Sequence, residues 1–186
     1  MITPLFPTNF FSLTKLPNTE HNVKLLETAE LDDDQNFSWC GEDDGRNNKV
    51  ERLKESTVMT IIAPVINSFL EELGCAKCGI TLQDVWRNTY SYGGYQEIHQ
   101  HKPSVFSAVI FLDDYEEGGS VFSFLNTELR TLPDSLLRLM PHVSESLALT
   151  PNRGDIIIFP SYMYHEVSKH RSEKTRRTVA CNIYLN

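Results

Sequence analysis

What the chain lacks narrows it first. No apolar run among its 186 residues reaches the ~18 that a membrane-spanning helix needs. Basic residues are few, with 17 Lys and Arg against 25 Asp and Glu, so the formal charge is −8. Duplex nucleic acid and anionic membrane surfaces both ask for a basic face, and neither is an expected partner. The start, MITPLFPTNFFSL, has no basic segment and no long apolar stretch of the kind a signal peptide carries. There are only four cysteines, Cys40, Cys75, Cys78 and Cys181, too few for a disulfide scaffold. With no export signal they read as reduced thiols of a cytoplasmic protein. Cys75 and Cys78 form a CxxC without two further ligands nearby, which argues against a zinc site. No HExxH-type motif places a general base, which disfavours a zinc hydrolase. Internal repeats and low-complexity tracts are absent.

What remains is ordinary globular material, 40% apolar and 23% charged, of a size for one domain. Residues 1–20 read as an extended arm packed on that domain. Residues 28–49 are acidic and turn-rich and read as a surface loop, with Asp32, Asp33 and Asp34 as a solvated charge run. From Lys49 to Leu73 the pattern turns helical, with Ile62, Ile66, Phe69, Leu70 and Leu73 on one face and Gly74 as the stop. Pro64 predicts a kink or a helix start within that span. Beyond it, short strands are predicted over 80–90, 96–101, 105–112, 121–124, 146–150, 155–159, 165–167 and 178–185, with a short helix around 135–140. Turn residues at 92–94, 117–119 and 151–154 separate them. Many short antiparallel strands after one long helix predict a mainly β protein with a helical buttress, folded as a jelly roll. Residues 1–79 form the arm, acidic loop and helix of this single domain, and 80–186 its core.

His99 and His101 stand two apart in a strand-like run, so period-two geometry sets both side chains on one face. His165 follows 66 residues after His99, just past the apolar run GDIIIFP. Three neutral imidazoles on one barrel wall would hold a divalent transition metal. Eleven residues past His165 comes Arg176, at the start of RRTVACNIYLN. An arginine buried at a barrel mouth needs an anion, and a dicarboxylate co-substrate supplies one through a two-pronged contact. Each element alone has an ordinary explanation as surface or core polarity; the joint spacing does not.

From Trp86 to Asn186 this spacing resembles the 2-oxoglutarate/Fe(II)-dependent oxygenases, including the prolyl 4-hydroxylase type. It is most similar to a family of small oxygenases of bacteria and bacteriophages. Tyr90 and Gly93 sit nine and six residues before His99; SAVIFLDDYEEGGSVFSF follows; then come Pro151, Gly154, Asp155, the strand IIIFPS, His165, and finally Arg176 with Thr178. LFPTNFF near the start is a weaker echo.

The resemblance implies a double-stranded β-helix (a cupin-like jelly roll) that hydroxylates a substrate and releases succinate and CO2. His99, His101 and His165 would ligate Fe(II), leaving positions for 2-oxoglutarate and O2. Arg176, Tyr90 and Thr178 would grip the far carboxylate of the 2-oxoglutarate, and Asn88, Ser107 and Asn182 would be inward polar contacts. The common pattern carries Asp where this chain has His101, so the site is one unit more positive. That charge favours anions and disfavours high oxidation states. Glu97, two residues before His99, ranks below the histidines as a ligand.

Two rivals stay open, a three-histidine cupin-like dioxygenase that does not use 2-oxoglutarate and a non-catalytic metal-binding barrel. The substrate, small molecule or peptide, is not legible, and a homodimer is possible for such a fold.

Overall fold

Apolar runs such as Ile156-Ile157-Ile158-Phe159 have no polar alternation, which is the mark of a strand covered on both faces. The computed structural model, which describes residues 9–35, 48–75, 78–131, 133–137 and 144–186, shows what covers them. Fourteen elements follow in order. The strands are β1 (Ser12–Lys15), β2 (Asn48–Arg52), β3 (Ile80–Tyr90), β4 (Gln96–His99), β5 (Phe106–Phe111), β6 (Phe122–Leu125), β7 (Ser146–Leu149), β8 (Asp155–Pro160), β9 (His165–Val167) and β10 (Arg176–Leu185). The helices are α1 (Thr19–Glu27), α2 (Glu55–Glu72) and α3 (Asp134–Leu137), with a 3-10 turn at Thr127–Thr131.

Two antiparallel sheets face one another. One has the order β1-β8-β5-β10-β3-β2 and the other β4-β9-β6-β7, a jelly-roll arrangement. Period-two alternation sorts the side chains. Ala108, Ile110, Ile156, Ile158, Val179, Cys181 and Ile183 point outward and pack under α1 and α2 with Val58, Ile62, Ile66 and Leu70. Val109, Phe111, Ile157, Phe159 and Ala180 point inward and meet Phe122 and Phe124 of the smaller sheet. The functional wall is therefore the inward half of strands whose outward half is anchored on a helix.

Several expectations shift. The helical span predicted from Lys49 splits. Residues 48–52 form an edge strand because Glu51 sits directly opposite Arg87, which donates to it through Nε at 3.0 Å and Nη2 at 2.8 Å. The helix starts at Glu55, and Pro64 lies inside it as one unbroken element. Burial of Val58, Ile61, Ile62, Val65 and Ile66 on both sides of the proline outweighs the lost hydrogen bond. Gly74 ends the helix as expected, at φ +78, but Leu73 is largely exposed. Where described, the N-terminal arm carries the strand β1, which pairs with β8, and α1 begins at Thr19 near its end. The six-stranded sheet draws both edge strands from the first 79 residues. The acidic loop is described only to Gln35, with Asp34 N–H turned onto Asp32 at 2.9 Å. Cys40 and residues 138–140 of the predicted short helix lie outside the described residues. No helix among the described residues is long and apolar enough to cross a membrane.

A charge network ties α1 to the sheet. Glu27 accepts from Arg153 Nη1 at 3.0 Å and from Arg177 Nη2 at 2.8 Å, and Arg177 also forks onto Asp113. Arg153, then Arg177, hold the Glu27 carboxyl below its usual 4.5 against the opposing effect of burial. A group depressed in the folded state stabilises above its unfolded value and loses that contribution as pH falls through the folded one. Urea unfolding should therefore show Glu27→Gln less stable than wild type at pH 7, by about 1 kcal/mol. The gap should narrow as the pH is taken below 4.5. A pH-independent gap would contradict this role.

Candidate metal centre

The smaller sheet brings the three predicted imidazoles together. His99 in β4 is the direct cross-strand partner of His165 in β9. The strand stops at His99, short of the expected 101, and the His101 N–H turns to the Ser161 carbonyl at 2.8 Å. His101 still meets the pair. Ring centroids lie 4.2 Å apart for His99 and His165, 4.9 Å for His99 and His101, and 5.0 Å for His101 and His165. One ligand atom from each ring falls within 4.8 Å of the other two.

Hydrogen bonds select the nitrogen each ring presents. His99 Nδ1 lies 2.6 Å from the Glu97 carbonyl and His165 Nδ1 3.0 Å from the Met163 carbonyl, so both donate there and keep Nε2 as the lone-pair atom. His101 Nε2 lies 3.2 Å from His165 Nε2. Two nitrogens each ~2.1 Å from one metal at a right angle would stand about 3 Å apart, so the spacing suits adjacent coordination positions. Phe122 stacks on His165 at 5.3 Å and Phe159 meets it edge-on at 4.9 Å, which fixes the ring. Burial, and then the charge of His99, push His101 down to about 3. The same effects hold His165 well below the ordinary histidine value. Both rings are neutral near pH 7, the form that binds metal. Glu97 gives only its backbone carbonyl; its side chain is exposed and outside the cluster.

These rings border a cavity of about 460 Å³, inside the range usual for small-ligand sites. Its other wall is the inward face of β3 and β10, a ruler of paired positions. Arg176 lies opposite Tyr90, Thr178 opposite Asn88, and Ala180 opposite Trp86. Arg176 is buried at one end. Its guanidinium lies over the rings of Phe111 at 5.1 Å and Tyr115 at 5.8 Å, and Nη2 reaches the Pro151 carbonyl at 3.4 Å. Its Nε is buried without any hydrogen-bond partner among the described residues. Asp113, an acid near enough in space to act on Arg176, is forked by Arg177 instead. Burial works against the Arg176 charge and lowers its proton affinity. Tyr90 shares a hydrogen bond with Thr178, and burial raises its phenol so that it stays protonated. A buried cation with an idle donor, beside a phenol and a hydroxyl, is a socket for a carboxylate.

Of the other predicted contacts, Asn88 and Asn182 line the cavity. Ser107 does not. It faces inward, but its hydroxyl is taken up 2.8 Å from Ser161 Oγ and 3.4 Å from Asn182 Oδ1. Sequence reasoning missed Ser120, fully buried on the cavity wall with an Oγ that has no partner among the described residues. It also missed Trp86, whose ring lies 5.5 Å from His101. Both were within reach of parity. Ser120 shares the inward phase of Phe122, and Trp86 that of Asn88 and Tyr90.

Known proteins bear on the site at two levels. The family model described as "Putative 2OG-Fe(II) oxygenase" matches residues 84–182, more than half of the chain. No curated protein matches it. Among solved structures, an oxidoreductase of the 2OG-Fe(II) oxygenase family from Burkholderia pseudomallei is 14% identical, at a TM-score of 0.61 over 92% of this chain and 84% of that one. The viral collagen prolyl hydroxylase of Paramecium bursaria Chlorella virus-1, in its 2OG complex, is also 14% identical, at 0.61 over 94% and 95%. The epimerase SnoN, in complex with Fe3+, alpha-ketoglutarate and nogalamycin RO, is 11% identical, at 0.63 over 96% and 80%.

Removing one ring tests the cluster. His165→Ala should weaken Co(II) binding, read by calorimetry, by more than the about 10–100-fold that loss of an outer-shell partner costs. Wild-type affinity in the variant would contradict a three-imidazole centre.

Proposed function

Because the chain belongs to the 2OG-Fe(II) oxygenase family, we propose that it hydroxylates an organic substrate at the expense of 2-oxoglutarate and O2. One observation carries the reading. The cavity places a buried guanidinium with an unpartnered Nε at one end of a wall that also runs past three converged imidazoles. That pairing fits a small diacid bound by metal at one end and by Arg176 at the other.

In this reading His99, His101 and His165 hold the iron. When bound, iron and 2-oxoglutarate together supply the oxidation of substrate by O2, with succinate and CO2 as co-products. The remaining work belongs to the chain itself. Arg176 takes the far carboxylate of 2-oxoglutarate, and the Tyr90 phenol and Thr178 hydroxyl donate beside it. Asn88 and Asn182 supply polar edges between the two ends. Phe111, Phe122 and Val109 line the floor and exclude water, which strengthens each charge contact there. Imidazole ligands bring no negative charge, so they would leave the full charge of the metal uncompensated, which draws a dianionic co-substrate in.

The all-histidine set favours a second reading, a three-histidine dioxygenase that needs no 2-oxoglutarate. Succinate formation separates the two. Fe(II)-loaded protein should convert 2-oxoglutarate to succinate, slowly without its substrate. Arg176→Ala should raise the 2-oxoglutarate requirement about 100-fold, as expected for loss of charge-assisted hydrogen bonds worth roughly 3 kcal/mol. An unchanged requirement would remove Arg176 as the anchor, and the absence of any succinate would favour the second reading.

A further inference from the structure

The ruler of β3 and β10 continues past the histidines. Tyr90 marks the Arg176 end and Trp86 the level of His101, so about 13 Å of strand separates them. The next inward position, Asp84, lines the same cavity, and Arg52 of β2, directly opposite Trp86, lines it too. Tyr184 of β10 closes this outer chamber.

Asp84 is held there by an irregularity. The β3–β10 register shifts between Ala180 and Asn182, and Asp84 sits in that bulge at φ +50. Bulges re-aim a side chain, and a non-glycine residue at positive φ stores strain that clusters at functional sites. Aspartate and asparagine tolerate this conformation better than other residues. The result is a pair of opposite charges on the chamber wall. Arg52 Nη2 and Asp84 Oδ1 are 3.8 Å apart, wider than a hydrogen bond. Both side chains are partly exposed, at 25% and 42%. Lys102 lines the cavity as well, but from an exposed position where water screens it. Glu55 stands close enough to feel both Arg52 and Asp84, and Asp32 acts on Glu55 in turn, so the described surroundings hold more acid than base and suit an ammonium beside the carboxylate.

We propose that this outer chamber receives the substrate as a zwitterion, a free α-amino acid whose carboxylate meets Arg52 and whose ammonium meets Asp84. The two charges of an α-amino acid sit on one carbon, with nitrogen and carboxyl carbon about 2.5 Å apart, a separation that spans facing groups set slightly wider. Trp86 then borders the side chain as it points toward the histidines. An internal residue of a peptide carries neither charge and gains nothing from the pair. The inference rests on the oxygenase reading for what happens next, but binding can be measured apart from it.

The experiment uses the full chain loaded with Ni(II), which does not turn over, and titrates each of the common L-amino acids by calorimetry. N-acetyl and carboxamide forms of any that bind follow, and 2-oxoglutarate is titrated separately. At least one free amino acid should bind, and blocking either end should weaken it about tenfold or more. Asp84→Asn keeps the left-handed backbone, so unchanged thermal unfolding is expected. It should lower affinity for the free amine form to that of the N-acetyl form. Arg52→Gln should do the same for the carboxylate and its amide, and neither change should move 2-oxoglutarate affinity. Binding by no amino acid, or equal binding by the doubly blocked forms that mimic a peptide, would overturn the proposal. Amino-acid binding without 2-oxoglutarate binding would overturn the oxygenase reading and leave this one standing.

Discussion

The pairing of β4 with β9 sets His99 against His165 across a two-strand ladder, and the centre of the molecule depends on that register. A slip of one residue would turn both rings to the opposite face. The register is pinned from below. Phe122, Phe124 and Phe159 pack around His165, and the Nδ1 atoms of His99 and His165 are tied to backbone carbonyls two residues upstream. Three imidazoles this close could not all carry charge, and the same packing that orders them keeps His101 and His165 neutral. A structural demand of the fold thus prepares a ligand set.

At the other end the alternation of a single strand separates two arginines with opposite fates. Arg177 points out and is consumed by Asp113 and Glu27. Arg176 points in and meets aromatic faces and one carbonyl. The acids that could have neutralised Arg176 are held by its neighbour, which leaves the inner cation for a ligand. Burying an arginine this way costs stability, and the outward packing of Val179, Cys181 and Ile183 against the helices offsets it.

Much of this was legible in the residues. The strand boundaries from Ile80 onward follow period-two patterning and turn chemistry, and the β3 and β9 bounds coincide with those expected. The three histidines and Arg176 were found by spacing, because the fold converts fixed separations along the chain into a common wall. Two kinds of feature were not legible. Residues 48–52 read as helix because the Glu51–Arg87 pairing that makes them a strand is a contact between distant segments. Ser107 read as a cavity contact because parity gives a side chain's direction but not how far along the barrel the cavity reaches. Asp84 was invisible because a bulge breaks the alternation of β3, and Arg52 because it lies in the strand that reads as helix.

In the proposed complex three imidazoles from this chain surround one iron while a diacid spans from the metal to Arg176. X-ray absorption of the anaerobic Fe(II) protein tests it most directly, before and after addition of 2-oxoglutarate. Scattering from three imidazole rings is expected in both states, with a chelating keto-acid added in the second and absent from an Arg176→Ala sample at the same concentration. Fewer than three imidazoles, a protein carboxylate in place of one of them, or a first shell indifferent to 2-oxoglutarate would contradict it.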